Sequence, residues 1–291
     1  MKGNLFALAT AVAWASAVVL FRKSGEHLSP FRLNALKSVL SLLLVLATLK
    51  VAGVPVFPTA PFSHLALLLA SGLVGIAVAD TLFFESLALL GAARSAIVSC
   101  LYAPFIVAAS MLFLGERPAA RVLGGGLFVV SAVFLTQVPE IRLELPAAAL
   151  RRGVLLGAAS MASTAVAIVA VKPLLPQYPV LWATGVRLLG GVLGLALPPL
   201  LHAPSRSVLG AFVPQRAWWL AIPAAVLGTY LALLLWVAGF KYGAASSTAI
   251  LNQTSTLFTV MLSALFLRER FTKWHGIATG LAFVGAALVA L

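Results

Sequence analysis

The chain has 291 residues, of which 62% are apolar and only 9% charged, with a mean hydropathy of +1.08. Soluble domains carry about 25% charged residues, so a water-soluble globule of this composition is excluded and an integral membrane protein is expected. The net charge of +13 comes from 20 basic residues against 7 acids. They are scattered singly between apolar runs with no basic face or aromatic platform, so nucleic acid is not an expected partner and anionic membrane lipid is.

A helix rises about 1.5 Å per residue and needs about 20 mostly apolar residues to cross about 30 Å of hydrocarbon. Ten stretches satisfy this, and they are called spans one to ten: 4–21, 31–49, 64–90, 95–114, 119–137, 153–172, 180–200, 217–240, 246–267 and 273–291. Their continuous Leu/Ala/Val runs do not alternate as barrel strands do, so the expected fold is an all-α integral membrane bundle. Span one, with Lys2 before it and "AWASAV" within it, imitates a secretory leader. The breaks between spans are mostly short and carry turn residues or charge, which makes consecutive helices antiparallel neighbours.

The octapeptide "SMLFLGER" at 110–117 returns as "SALFLRER" at 263–270. At the same offset of 153, residues 91–117 and 244–270 share eleven identities in 27, among them Ala96/Ala249, Ile97/Ile250 and Phe105/Phe258. At an offset of 150 the first spans also match, with Gly3/Gly153 and Ala15/Ala165, and Lys37 faces Arg187. The chain therefore reads as a tandem duplication: residues 1–139 and 153–291, joined by a charged linker at 140–152. Span one has a mid-chain counterpart in span six, which argues against a cleaved leader. Five spans per copy is odd, so the second copy enters the membrane from the other side and the copies form an inverted repeat. Such repeats place substrate between them and open alternately to each face.

Ionisable and polar residues at membrane depth mark function, because each costs from about 2.5 to over 10 kcal/mol at the bilayer centre unless it faces the bundle interior or water. Asp80 and Glu85 lie in span three and suggest a cation or proton site, a partner for a substrate ammonium, or structural pairing with a base. Lys37 and Arg187 occupy equivalent places in spans two and seven, where snorkelling to the headgroups competes with an inward-facing role in charge or proton coupling. Span nine carries "NQTST" from Asn252 to Thr256, five polar residues that cannot all face lipid; Asn252, Ser255 and Thr256 on one face suggest a wet cavity wall. The equivalent turn of span four holds Ser99, Cys100 and Tyr102, and Pro104 there is expected to kink the helix by freeing the Cys100 carbonyl. Trp14, Ser16, Phe83, Phe84, Ser163, Thr164, Tyr230 and Trp236 are further candidates for the lining. The Glu-Arg pairs of the repeated octapeptide mark where spans four and nine leave the hydrocarbon.

The stretch "ALLGAARSAIVSCLYAPFIVAASMLFLGERPAARVLGGGLFVVSAVFL" resembles the EamA repeat of the drug/metabolite transporter superfamily. It has a small-residue helix start, a mid-helix proline, a Leu-Gly-Glu-Arg end and a Gly-rich next helix; the second copy keeps Glu-Arg but has Leu257 at the proline position. The resemblance covers essentially the whole chain, and its general look is similar to amino-acid exporters of the YddG type. It implies a secondary carrier of the bacterial inner membrane that exports a small amphipathic metabolite, with amino acids, aromatic or apolar ones among them, foremost. Another metabolite or drug, a lipid flippase or intramembrane enzyme using Asp80 and Glu85, and a passive channel are the alternatives. No Walker loop, triad, HExxH or Rossmann signature can be assembled, so no enzyme, metal or cofactor is expected. A small-molecule substrate, lipid and protons are the expected partners, and a monomer the expected state. Six basic residues on the face that carries the termini against twelve on the other lean toward both termini outside.

Overall fold

The computed structural model describes residues 2–25, 27–55, 60–137, 146–201, 203–267 and 273–290. Among them every regular element is helical. Six helices are long and apolar enough to cross a membrane, and Tyr102–Leu114, Ala120–Leu135 and Gly276–Ala290 are shorter apolar ones. Lipid offers the backbone no hydrogen bonds, so each span must satisfy its own, and uninterrupted Leu/Ala/Val sequence lets it do so. The protein is a multi-pass integral membrane protein of two inverted five-helix repeats.

Span one is Lys2–Ser24 and span two is Pro30–Val51, with Pro30 in the first helical turn, where a missing N–H costs nothing. Span three begins as Phe62–Gly72, passes through a π-helical segment, Leu73–Val78, and continues as Ala79–Ser99. Residues 12 apart on a straight helix are about 18 Å apart. Yet a Cβ added to Gly157 would lie 2.8 Å from Ser86 Oγ and 2.7 Å from Val98 Cγ1, so the chain reverses between them, as the break at "GAARS" leads one to expect. Span four then resumes as Tyr102–Leu114 after a turn at Cys100 and Leu101.

The second copy repeats these irregularities. Span eight carries its own π-helical segment, Ala225–Leu231, between Trp218–Ala224 and Ala232–Tyr242. Span nine is split into Ala245–Asn252 and Ser255–Leu267 by a turn at Gln253 and Thr254, 153 residues after the turn in span four. Pro104 therefore does not account for the break by itself, since Leu257 stands at the matching place. There Thr254 Oγ1 donates to Leu251 O at 2.6 Å, and Gln253 Nε2 donates to Ser99 O at 2.9 Å. Span six is the helix Ala147–Val171, so 147–152 are helical, as the helix-favouring "AAALRR" permits. Glu140, Arg142 and Glu144 of the charged cluster, and Arg268, Glu269 and Arg270, lie outside the described residues.

Packing follows the duplication. Span one lies against spans eight and nine, and span six lies against three and four. Span two meets seven and eight, span seven meets two and three, and spans five and ten pack on each other. Exchanging the copies leaves this pattern unchanged, which is what a two-fold axis relating them requires. The closest approach is between spans three and seven: a Cβ at Gly72 would overlap the Arg187 carbonyl, and one at Gly190 the Leu69 carbonyl. The run "GGVLG" at 190–194 thus lets two backbones touch. Between spans five and ten a Cβ at Gly125 would stand 2.6 Å from Gly285 O.

Gly190→Val is expected to push spans three and seven apart and cost about 1–3 kcal/mol. In detergent its unfolding temperature should fall clearly below that of Gly124→Val, because nothing lies within 4 Å of a Cβ at Gly124. Equal stability of the two would refute the close approach.

Candidate functional site

Between the repeats lies a cavity of about 270 Å³. Spans one, three, four, six, eight and nine contribute most of its wall, and spans two and seven contribute one residue each, Lys37 and Arg187. Its positions come largely in repeat-related pairs: Thr10 with Ser160, Trp14 with Thr164, Gly75 with Gly228, Phe83 with Trp236, Ser99 with Asn252, Tyr102 with Ser255. The two-fold places these pairs on opposite walls, but their chemistry differs.

Lys37 and Arg187 are each only 2% exposed. Neither snorkels. Lys37 Nζ donates to Asp80 Oδ2 at 2.6 Å and stands 5.7 Å from the Phe84 ring centroid. Asp80 remains 30% exposed. Its counterpart in span eight is Leu233, so the second copy supplies a base without an acid. The Arg187 guanidinium lies 5.2 Å from the Trp236 ring centroid, and its Nε and Nη1 have no hydrogen-bond partner among the described residues. Trp236 Nε1 in turn donates to the Tyr102 hydroxyl at 2.7 Å. Asn252 is buried close to Tyr102, with no well-formed hydrogen bond on either amide atom among the described residues.

Two π-helical segments flank this centre. The wider turns of a π-segment leave backbone groups to be met by side chains, and such segments frequently sit at functional sites. Asn34 Nδ2 donates to Ile76 O at 2.9 Å in the first, and Ser41 Oγ to Ala225 O at 3.4 Å in the second.

On the face that carries the termini, polar contacts join the repeats. Gly115 ends span four in the left-handed conformation, φ 65°, which favours glycine. The Glu116 that follows accepts from Ala245 N at 2.8 Å and from Ser246 N and Oγ at 3.1 Å. The carboxylate ending a helix of the first copy thereby caps a helix of the second, meeting orphan donors at its positive end. Lys172 Nζ, 3.8 Å from Glu116, donates to Phe240 O at 2.9 Å and Gly243 O at 2.5 Å. Gly3 and Gly243 are backbone to backbone, and His64 Nδ1 meets the Tyr178 hydroxyl at 2.7 Å.

A model described as "EamA-like transporter family" matches residues 1–138 and again 151–291. The chain belongs to that family. An EamA-like transporter is a membrane transporter of small molecules. A solved structure described as "Crystal structure of protein" superposes on this transporter with a TM-score of 0.81, covering 98% of this chain and 95% of that one at 21% identity. That likeness shows the fold alone. No curated protein matches.

In this EamA-like transporter Trp14, Lys37, Asp80, Phe83, Ser99, Tyr102, Thr164, Arg187, Trp236, Asn252, Ser255 and Thr256 line the one cavity. Five other candidates do not. Ser16 bonds back to Val12 O at 3.0 Å, Phe84 packs on Phe21 at 5.9 Å, and the Tyr230 hydroxyl bonds Thr48 at 2.7 Å. Ser163 and Glu85 are half-buried on helix faces turned from the lining. Thr10, Ser95, Ser160, Gln253 and Thr259 line the cavity without having been expected. The repeat carried a signal for Ser160 and Thr10, which match each other at an offset of 150.

Asp80→Asn is expected to strand the buried Lys37 charge and cost about 3 kcal/mol, near the low end for breaking a buried pair, since Asp80 keeps some exposure. The double variant Lys37→Met/Asp80→Asn should recover most of that loss in thermal unfolding. If Asp80→Asn alone unfolds with the wild type, the pair does not hold the bundle.

Proposed function

We propose that this EamA-like transporter is a secondary carrier of the bacterial inner membrane that exports small amphipathic metabolites, amino acids foremost, by alternating access. Residues 1–139 and 153–291 are the halves that rock against each other. The observation that carries this reading is a largely apolar cavity between the repeats that holds a few polar and charged side chains, with Glu116 to Ala245, Glu116 to Lys172 and Gly3 to Gly243 contacts joining the repeats on the terminal face. Contacts of this kind between side chains and helix ends, part-buried at a membrane face, can break without unfolding a helix. The aromatic residues Trp14, Phe83 and Trp236 suit an apolar or aromatic side chain, as the resemblance to exporters of the YddG type also suggests. Proton coupling, in this reading, runs through Lys37 and Asp80, the one acid–base pair in the lining.

The test is reconstitution in liposomes with external and internal amino acid. Saturable counterflow is expected, whereas a channel gives flux without saturation, which would sink the carrier reading. Glu116→Gln weakens the cap on Ala245 and Ser246 and should raise the share of molecules open on the terminal face. With Cys100 replaced and a single cysteine at Thr10, an impermeant thiol reagent should then label faster from the terminal side than in the unaltered transporter. Unchanged labelling would remove the gate from the reading.

A further inference from the structure

We infer that the cavity holds its cargo by a carboxylate seated on Arg187, and that an ammonium group on the cargo is dispensable. The transport reading is needed only for calling the ligand cargo. Three lining residues are charged: Lys37, Asp80 and Arg187. The first two neutralise each other at 2.6 Å, which leaves one positive charge, 2% exposed, with Nε and Nη1 unpartnered among the described residues. A buried charge with no ion-pair contact among the described residues is costly, so the site favours an anion over a neutral or cationic ligand. A guanidinium presents a planar fork of donors that matches a carboxylate through two parallel hydrogen bonds.

The surroundings complete an anion site with an apolar side. Tyr102 accepts the Trp236 indole N–H at 2.7 Å, so its own hydroxyl proton can turn to a ligand or to the Asn252 amide beside it. The Asn252 amide is buried close by, its hydrogen-bonding capacity largely unused. Gly75, where a Cβ would lie 3.4 Å from Arg187 Nη2, keeps space open beside the guanidinium. The Trp236 and Phe83 rings offer apolar area for the rest of the molecule. An ammonium group, by contrast, finds only Asp80 as a lining acid, and Lys37 already neutralises its charge through Oδ2. The occupant is therefore a monocarboxylate with an apolar body, and amino acids belong to the class through their carboxylate.

Thermal unfolding of the purified full chain in detergent tests this with four matched probes: 3-phenylpropanoate, phenylalanine, phenethylamine and 3-phenylpropanamide, with chloride and sulfate as inorganic controls. The acid and the amino acid should raise the unfolding temperature, and the amine and the amide should not. Arg187→Gln should abolish the shift while its ligand-free form unfolds at or above the wild-type temperature, because an uncompensated charge is gone. Arg187→Lys keeps the charge without the fork and should weaken acid binding on the order of tenfold. Stabilisation by the amine or amide equal to that by the acid, no response to either carboxylate, a response to inorganic anions alone, or a ligand-free Arg187→Gln that unfolds well below the wild type would each overturn the inference. Carboxylate binding without liposome flux would instead count against the transport reading and leave this one standing.

Discussion

The bundle is organised by the cost of charge inside hydrocarbon. Lys37 is only 2% exposed at its place in span two, and the 2.6 Å contact with Asp80 is what makes its burial tolerable. That contact fixes spans two and three of the first copy to each other at the wall of the cavity. The second copy keeps the base, as Arg187, and has Leu233 where the acid would be. In charge, the two repeat-related walls thus differ by one carboxylate.

The rest of the architecture serves to keep such a centre enclosed yet reachable. Small residues bring spans three and seven into backbone contact, so the side chains at that crossing project past the helices into the cavity. The paired π-segments and paired turns put irregular backbone beside the cavity, where Gly75, Ile76, Gly228, Thr229 and Gln253 line it. The polar contacts that join the repeats on the terminal face involve side chains and helix ends, and so are separable from the packing that holds the spans together.

Much of this was legible in the sequence, for identifiable reasons. Hydropathy located the spans because lipid demands continuous apolar runs, and the repeated octapeptide revealed the inversion because five is odd. Lys37, Asp80 and Asn252 stood out because polar groups are expensive in lipid. Periodicity did not separate Ser16, Ser163 or Tyr230 from true lining residues, since a Ser can satisfy itself on its own helix, as Ser16 does on Val12, and a Tyr can find a partner such as Thr48. The destination of Lys37 and Arg187 was equally hidden, because snorkelling and burial begin from the same helical position. Glu116 looked like the end of a helix, and its role as cap for a helix 129 positions away depends on a fold that no local pattern encodes.

The turns in spans four and nine have a further consequence. They fall at equivalent positions although one is followed by a proline and the other by a leucine. The break therefore belongs to the repeated unit itself and was present before its two copies diverged. Proline in one copy and the Gln253/Thr254 side chains in the other are different local supports for the same backbone shape. Each copy was then free to change the residues that the break exposes, which is how one ancestral wall came to present Ser99 and Tyr102 on one side and Asn252 and Ser255 on the other.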